Sequence, residues 1–331
     1  SRLKVMASLD IAERRRPQDG RLTTRDDRGG EYDVRLSIMP TVYGEKACMR
    51  LLEKANSIAH LDKLGFMPAQ RALFDKFIRR PHGLILVTGP TGSGKSTTLY
   101  AALQSISDST KNVNTIEDPV EYKLAGVNQM QVNPKIDVTF ANGLRTLVRQ
   151  DPDVILVGEI RDRDTAEIAI QAALTGHLVL STLHTNDAAG ALVRLQNMGV
   201  ERFLISSAMV GVIGQRLVRN VCPHCTETLT IKPDEALALG LPEREEPTVV
   251  ARGKGCRRCG GRGTSGRSAA FEVFGMSEGI RQLVLDGASS STIADQVRYE
   301  GMATMHESAV DKVLELKVPP EELVRVFSTG E

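Results

Sequence analysis

The sequence lacks long apolar runs, an excess of charge of either sign and a large share of aromatic side chains. No apolar stretch approaches the roughly 18 residues that a membrane-spanning helix requires, and residues 1–4 do not form the start of a signal peptide. We therefore expect a cytosolic protein without a transmembrane segment. Because the sequence does not begin with Met, we also expect it to be a fragment whose N-terminal part is missing.

The low aromatic content and the balanced charge argue against direct binding of nucleic acid. Aromatic residues make up 4% of the chain, and 42 Lys and Arg residues balance 41 Asp and Glu residues. Proteins that hold single strands usually stack the bases on aromatic side chains along a basic groove. We therefore expect no direct contact with nucleic acid, and a DNA-translocating motor is the less favoured alternative.

The most informative motif is a phosphate-binding loop. Residues 89–96 read GPTGSGKS, which fits the pattern GxxxxGK[ST], and they lie between an apolar strand and a predicted helix. Glycines allow backbone N–H groups to converge on phosphates, Lys95 adds a positive charge, and the hydroxyl of Ser96 can hold Mg²⁺. We therefore expect ATP and Mg²⁺ as cofactors. The expected nucleotide-binding residues are Gly89, Pro90, Thr91, Gly92, Ser93, Gly94, Lys95, Ser96 and Thr97.

The pattern along the chain predicts an α/β protein with several parts. Residues 32–38 alternate apolar and polar side chains, which predicts a half-buried strand with Arg35 on its polar face. Helices alternate with the short apolar strands 84–88, 113–116, 154–157 and 178–183, as in a parallel sheet covered on both faces. The predicted parts are an N-terminal α/β domain (1–57), a linker (58–68), an ATPase core (69–220), a tetracysteine element (221–266) and a helical subdomain (267–331).

Two acidic segments follow predicted strands of the core. Residues 153–159 form an apolar strand that ends in Glu159, where an acid can act near the Mg²⁺ water shell. Glu117 and Asp118 follow another strand, at the sheet edge where open α/β sheets bind ligands. Glu117 is therefore a candidate base for the attacking water, and a solvated turn is the alternative interpretation of the pair.

Histidine and arginine side chains supply further candidates. His184 ends the strand at 178–183, where an imidazole can sense a γ-phosphate or take a structural hydrogen bond. Arg145 and Arg149 lie on one helical face, and Arg161 follows Glu159. Each arginine can stabilise a transferring phosphate or form a surface ion pair.

Four of the five cysteines form two CxxC pairs. Their spacing predicts one structural Zn²⁺ held by four thiolates, with disulfides as the alternative that a cytosolic setting disfavours. We expect Cys48, the fifth, to be a buried apolar residue and His224 to lie at the surface. The predicted zinc ligands are Cys222, Cys225, Cys256 and Cys259.

Together these segments resemble the secretion ATPases, the hexameric motors of type II secretion and type IV pilus assembly. Residues 89–96, 115–122, 147–162 and 176–187 look like the Walker A, Asp box, Walker B and His box of that family. The likeness extends from residue 10 through the last predicted helices. It implies a RecA-like P-loop core, a PAS-like N-terminal domain and a projecting zinc element.

The resemblance also implies roles for single residues in ATP hydrolysis. In such motors Lys95 and Ser96 would bind phosphate and Mg²⁺, Glu117 would be the catalytic base, and Glu159 the Walker B acid. His184, with His177 as a further candidate, would respond to the γ-phosphate.

Arginines of the N-terminal domain act as fingers in this family. The matching positions are Arg35 and Arg50, with Arg21 as a third candidate.

The implied protein is a homo-hexameric ATP hydrolase. We expect it in the cytoplasm, peripheral to the inner membrane through anchor and platform proteins of the machine. The leading hypothesis is pseudopilus assembly for protein export in type II secretion, which residues 184–187 favour, and type IV pilus extension is the alternative. The tetracysteine element favours these branches over retraction motors. A non-catalytic nucleotide switch is a further alternative.

Overall fold

The computed structural model describes residues 1–27, 29–53 and 60–328. The chain divides into two units, Ser1–Ile58 and Ala59–Glu331. Among the described residues, no helix is long and apolar enough to cross a membrane.

The first unit is a three-stranded antiparallel sheet with one short helix. The alternation predicted over 32–38 is observed, because Val34, Leu36 and Ile38 are buried whereas Arg35 lies on the opposite face. The small core also contains Ala7 and Leu22. Its elements are α1 (Arg2–Met6), β1 (Gln18–Arg25), β2 (Glu31–Thr41) and β3 (Gly44–Glu53), and the strand order is β1-β2-β3.

The second unit contains a seven-stranded sheet and the remaining helices. Its first elements are α2 (Pro68–Ile78), β4 (Gly83–Thr88), α3 (Lys95–Ile106), β5 (Val113–Glu117), β6 (Val127–Gln131), α4 (Phe140–Val148), β7 (Val154–Val157), α5 (Arg163–Leu174), β8 (Leu178–Leu183), α6 (Ala189–Asn197), α7 (Arg202–Ala208) and β9 (Met209–Val221). They are followed by β10 (Thr226–Ile231), α8 (Pro233–Ala238), β11 (Thr248–Gly253), β12 (Thr264–Gly275), α9 (Glu278–Asp286), α10 (Ser290–Tyr299), α11 (Met305–Leu314) and α12 (Glu321–Phe327).

The large sheet confirms the predicted α/β fold class and its parallel core. The strand order is β12-β9-β4-β8-β7-β5-β6, with all neighbours parallel except β12, which is antiparallel to β9. Strands β4, β5, β7 and β8 are buried along their whole length, as expected for apolar runs with helices on both faces. The predicted core strands therefore exist within a residue or two of the expected bounds.

The predicted boundaries of the tetracysteine element and of the helical subdomain differ from those in the structure. Residues 264–275 form β12 of the large sheet, so the mostly helical segment begins at α9 and not at residue 267. The segment 226–253 does not form a separate module, because Ile231 and Val250 share a core with Val313 of α11 and Leu323 of α12. The cysteine-rich region thus packs directly on the C-terminal helices.

The predicted linker is also shorter than expected. Residues 58 and 59 lie outside the described residues, whereas Leu61 and Leu64 are buried in the second unit. The ring of Phe66 stacks on Phe271 of β12 at a centroid distance of 3.7 Å. Residues 60–68 therefore belong to the second unit.

Candidate functional site

The carboxyl ends of four neighbouring parallel strands bring the predicted site residues to one edge of the large sheet. The phosphate loop follows β4, His184 follows β8, Glu159 follows β7, and Glu117 ends β5. The register aligns these ends, because Thr88 pairs with Leu183 and Val157 pairs with Ser181. Ligands of open α/β sheets bind at this edge.

The phosphate loop has the backbone of an anion cradle. Gly89, Gly92 and Gly94 have φ values of 148°, 81° and 90°, which L-residues rarely adopt. Within the described part of the chain, the buried Ser93 hydroxyl has no hydrogen-bond partner, so it can donate to a phosphate oxygen inside the loop. The loop leads directly into α3, whose N-terminal N–H groups favour a phosphate.

Lys95 lies inside this cradle. Its ammonium group donates to the backbone oxygens of Gly89 (2.8 Å) and Pro90 (3.0 Å). Burial lowers the pKa of Lys95, and the negative charge of Glu159 partly opposes that effect. Ser96 follows as an exposed residue in the first turn of α3. The residues present therefore fit a nucleotide phosphate chain with Mg²⁺.

Gln215 of β9 supports the loop from the neighbouring strand. Its side-chain amide donates to the backbone oxygen of Ser93 (2.6 Å) and accepts from the hydroxyl of Thr98 on α3 (2.8 Å). It is 1% exposed. Sequence reasoning missed Gln215, because no motif joins a residue of β9 to a loop that precedes it by more than a hundred positions.

Glu159, Arg161, Asp118 and His184 form one polar cluster at the sheet edge. Arg161 donates to Glu159 at 2.5 Å and lies 3.7 Å from the carboxylate of Asp118. This hydrogen bond to Glu159 raises the pKa of Arg161. The Nε2 atom of His184 lies 3.4 Å from the other carboxylate oxygen of Glu159. Three of the segments singled out in the sequence therefore meet around a single carboxylate.

Glu117 is a buried carboxylate, 3% exposed, and not part of a solvated turn. Three side chains donate to it: Tyr100 to Oε2, and Thr115 (2.6 Å) and Gln129 (3.1 Å) to Oε1. The neighbouring Asp118 is exposed. The acidic pair is thus split between a buried, restrained group and a solvent-facing one.

Other sequence candidates lie elsewhere. His177 precedes β8, so about 20 Å of strand separates it from the edge that His184 occupies. Its Nδ1 atom bonds to the backbone oxygen of Ala172 at 2.8 Å, a contact at the end of α5. Arg145 donates to Asn142 on its own helix. The structure does not bring His177 to the candidate site.

The first unit carries a row of arginines. Arg21 on β1 pairs with Arg35 on β2, and Arg35 pairs with Arg50 on β3. Directly paired residues point to the same face of an antiparallel sheet, which here is the face opposite Val34 and Leu36. Three arginine side chains therefore lie next to one another on this face.

The four predicted zinc ligands lie together. Their sulfur atoms are all within 4.8 Å of one another. The Sγ–Sγ distances are 4.0 Å for Cys222–Cys256, 3.9 Å for Cys225–Cys259 and 3.7 Å for Cys256–Cys259. Thiolates arranged as a tetrahedron around zinc at about 2.3 Å would be about 3.8 Å apart. All four cysteines are free of disulfides. The donor set therefore fits a structural zinc ion.

The remaining cysteine differs from the expectation. Cys48 is exposed on β3, not buried. Its strand lies at the edge of the three-stranded sheet, so an apolar residue type does not ensure burial there. His224, as predicted, is exposed, and it contacts the guanidinium of Arg258 at 3.2 Å.

Comparison with known proteins gives consistent matches. The family described as type II/IV secretion system protein matches residues 1–325. Type II secretion system protein E of Pseudomonas aeruginosa is 50% identical over 326 residues, which are 98% of this chain and 64% of the relative. The type IV pilus assembly ATPase PilB of Thermus thermophilus is 51% identical over 314 residues, which are 95% of this chain and 35% of that protein. The chain therefore spans less than two thirds of these relatives.

A solved structure has the same fold. The crystal structure of the pilus retraction motor PilT with bound ADP superimposes with a TM-score of 0.67 at 28% identity, and it covers 94% of this chain and 78% of that one.

Proposed function

Because the chain belongs to the type II/IV secretion system protein family, we propose that it hydrolyses ATP to drive pseudopilus assembly and protein export in type II secretion. The observation that carries the proposal is the meeting of the phosphate loop, Glu117, Glu159 and His184 at one edge of a parallel sheet. A fold of this kind without those side chains would support nucleotide binding alone.

Each residue of the candidate site has a separate proposed role in ATP hydrolysis. The loop's N–H groups and Lys95 would bind the β and γ phosphates, and the hydroxyl of Ser96 would hold Mg²⁺, which would supply charge neutralisation of the phosphates. Glu117 takes a proton from the attacking water. Glu159 would orient water bound to Mg²⁺, and His184, which contacts Glu159, would respond to the γ-phosphate.

The arginine row of the first unit is assigned a role in hydrolysis. We assign Arg35 and Arg50 as fingers that stabilise negative charge on the transferring phosphate, with Arg21 beside them. The chain then acts as a homo-hexamer, and the hydrolysis cycle drives mechanical work in the secretion machine.

The proposed setting is the cytoplasmic face of the inner membrane, where anchor and platform proteins of the machine hold the motor. A zinc ion held by the four thiolates would be structural, because no position would remain open for a substrate. The four cysteines would then link the end of β9 to the segment before β12.

Type IV pilus extension is the second candidate, favoured by the 51% identity to a pilus assembly ATPase. Deletion of the gene separates the two functions. We expect loss of exoprotein export with surface piliation retained. Loss of piliation with normal export would assign the motor to pilus extension.

Steady-state ATP hydrolysis tests the enzymatic part. We expect Glu159→Gln to reduce turnover at least about a hundredfold while the chain still binds ATP, because the side chain keeps its shape and loses its charge. Glu167→Gln is the matched control, since Glu167 also bonds to an arginine but lies on the surface of α5. Equal turnover of the two variants would contradict the role of Glu159, and a wild-type chain that binds ATP without turnover would be a nucleotide switch.

A further inference from the structure

Three side chains donate hydrogen bonds to the buried carboxylate of Glu117. Oε1 accepts from the hydroxyl of Thr115 and the amide of Gln129, and Oε2 accepts from the hydroxyl of Tyr100. Thr115 lies on the same strand and Gln129 on the adjacent strand β6, so both belong to the sheet. Tyr100 is the one of these three donors that comes from a helix.

That helix is α3, which begins at the phosphate loop. Tyr100 lies four residues after Ser96, so the two side chains share one face of α3. The Tyr100 ring is 1% exposed. Its hydroxyl therefore links the helix that carries the proposed Mg²⁺ ligand to the proposed base.

The same hydroxyl also fixes the segment that follows β5. It accepts a hydrogen bond from the backbone N–H of Glu121 at 3.1 Å, while it donates to Glu117. Burial and the negative charge of Glu117 raise the pKa of Tyr100, so the phenol remains a neutral donor throughout any assay range.

We propose that Tyr100 is a positioning residue that orients the Glu117 carboxylate relative to the phosphate loop. The proposal rests on the proposed role of Glu117 as the base. Oε2 accepts from Tyr100, and Oε1 accepts from Thr115 and Gln129 of the sheet. Hydrogen bonds to both oxygens therefore restrain the orientation of the carboxylate plane. A helix displacement at the phosphate loop is then transmitted to the base through one hydrogen bond.

The test removes only the hydroxyl. Tyr100→Phe keeps the buried ring, so the core remains filled, and Tyr299→Phe is the matched control because Tyr299 is 88% exposed on α10. We expect Tyr100→Phe to lower kcat for Mg-ATP about tenfold, since misplacement of a catalytic group reduces rate steeply. KM is expected to change less than about twofold, and Tyr299→Phe to behave like the wild type.

The split between kcat and KM separates positioning from general weakening of the fold. Fluorotyrosine at position 100 keeps the shape of the side chain and its hydroxyl donor, so we expect it to restore kcat to near the wild-type value. Unchanged kcat in Tyr100→Phe, or a fluorotyrosine variant whose kcat is as low as that of Tyr100→Phe, would overturn the proposal.

Glu117→Gln distinguishes this inference from the proposed function. If Glu117→Gln retains turnover, the base role of Glu117 fails and the inference falls with it. If Glu117→Gln loses turnover while Tyr100→Phe behaves like the wild type, only the role of Tyr100 fails.

Discussion

Single side chains with buried polar partners shape the candidate nucleotide site. Gln215 is the clearest case, because its one amide bridges the loop carbonyl of Ser93 and the helix hydroxyl of Thr98. Leu217, two residues further along β9, lies within contact distance of a Cβ built on Gly94. Strand β9 therefore packs against the phosphate loop and stabilises its conformation.

We predict that Gln215→Leu weakens ATP binding about tenfold. The apolar side chain leaves the Ser93 oxygen and the Thr98 hydroxyl without their partner, and each such loss costs about 1–3 kcal/mol. Titration with a fluorescent ATP analogue measures the affinity. Gln282→Leu serves as the control, because Gln282 is exposed on α9 and bonds to Asp286 of the same helix. Equal affinity in both variants would remove Gln215 from the support of the loop.

At the scale of elements, the cysteine-rich region connects two strands of the large sheet. Cys222 and Cys225 follow β9, whereas Cys256 and Cys259 precede β12. Between them, β10 and β11 form a two-stranded antiparallel sheet. That sheet packs on α11 and α12, so a metal ion held by the four cysteines would stabilise the same part of the molecule as the helix packing.

We predict that chelation of Zn²⁺ loosens residues 222–263 and the helices α11 and α12, while ATP binding persists. Apo structural zinc sites lose the free energy that metal binding contributes to folding. Hydrogen exchange with and without a chelator locates the change, and nucleotide titration follows binding. Cys48→Ser, a change at the exposed cysteine, should leave the zinc content unchanged. Complete loss of ATP binding on chelation would contradict this separation.

At the scale of the whole molecule, the chain combines a nucleotide unit with a unit that presents positive charge. The row of Arg21, Arg35 and Arg50 depends on the register of three strands. A shift of one residue in either pairing would move an arginine to the opposite face of the sheet. The small apolar core that contains Leu22, Val34 and Leu36 fixes the register of β1 against β2.

We predict that Arg35→Ala lowers ATP turnover about a thousandfold and leaves nucleotide affinity nearly unchanged. Arginine fingers act mainly on charge that develops in the transition state. Arg25→Ala is the control on the same sheet, because Arg25 forms an ion pair with Glu31 at the surface. Turnover that matches the Arg25 control would exclude Arg35 from the finger role.

Much of the candidate site could be predicted because its signals are local. The phosphate loop, the acid after β7 and the CxxC pairs are set by spacing within a few residues, and the structure has each in the expected local conformation. Both histidines of the 176–187 segment are candidates from the sequence, with His184 placed first because it follows the predicted strand. The structure separates them, because His177 precedes β8 and His184 follows it, at the edge where the phosphate loop lies.

The sequence alone determined a parallel α/β fold, a phosphate loop and a four-cysteine cluster, because short-range geometry and hydrophobic periodicity decide those features. Tertiary structure alone decided that Gln215 holds the loop, that Tyr100 bonds to Glu117 and that Cys48 is exposed. These contacts depend on the order β12-β9-β4-β8-β7-β5-β6 and on which strands form edges. Strand order results from packing of the whole chain, and no local pattern of residues encodes it.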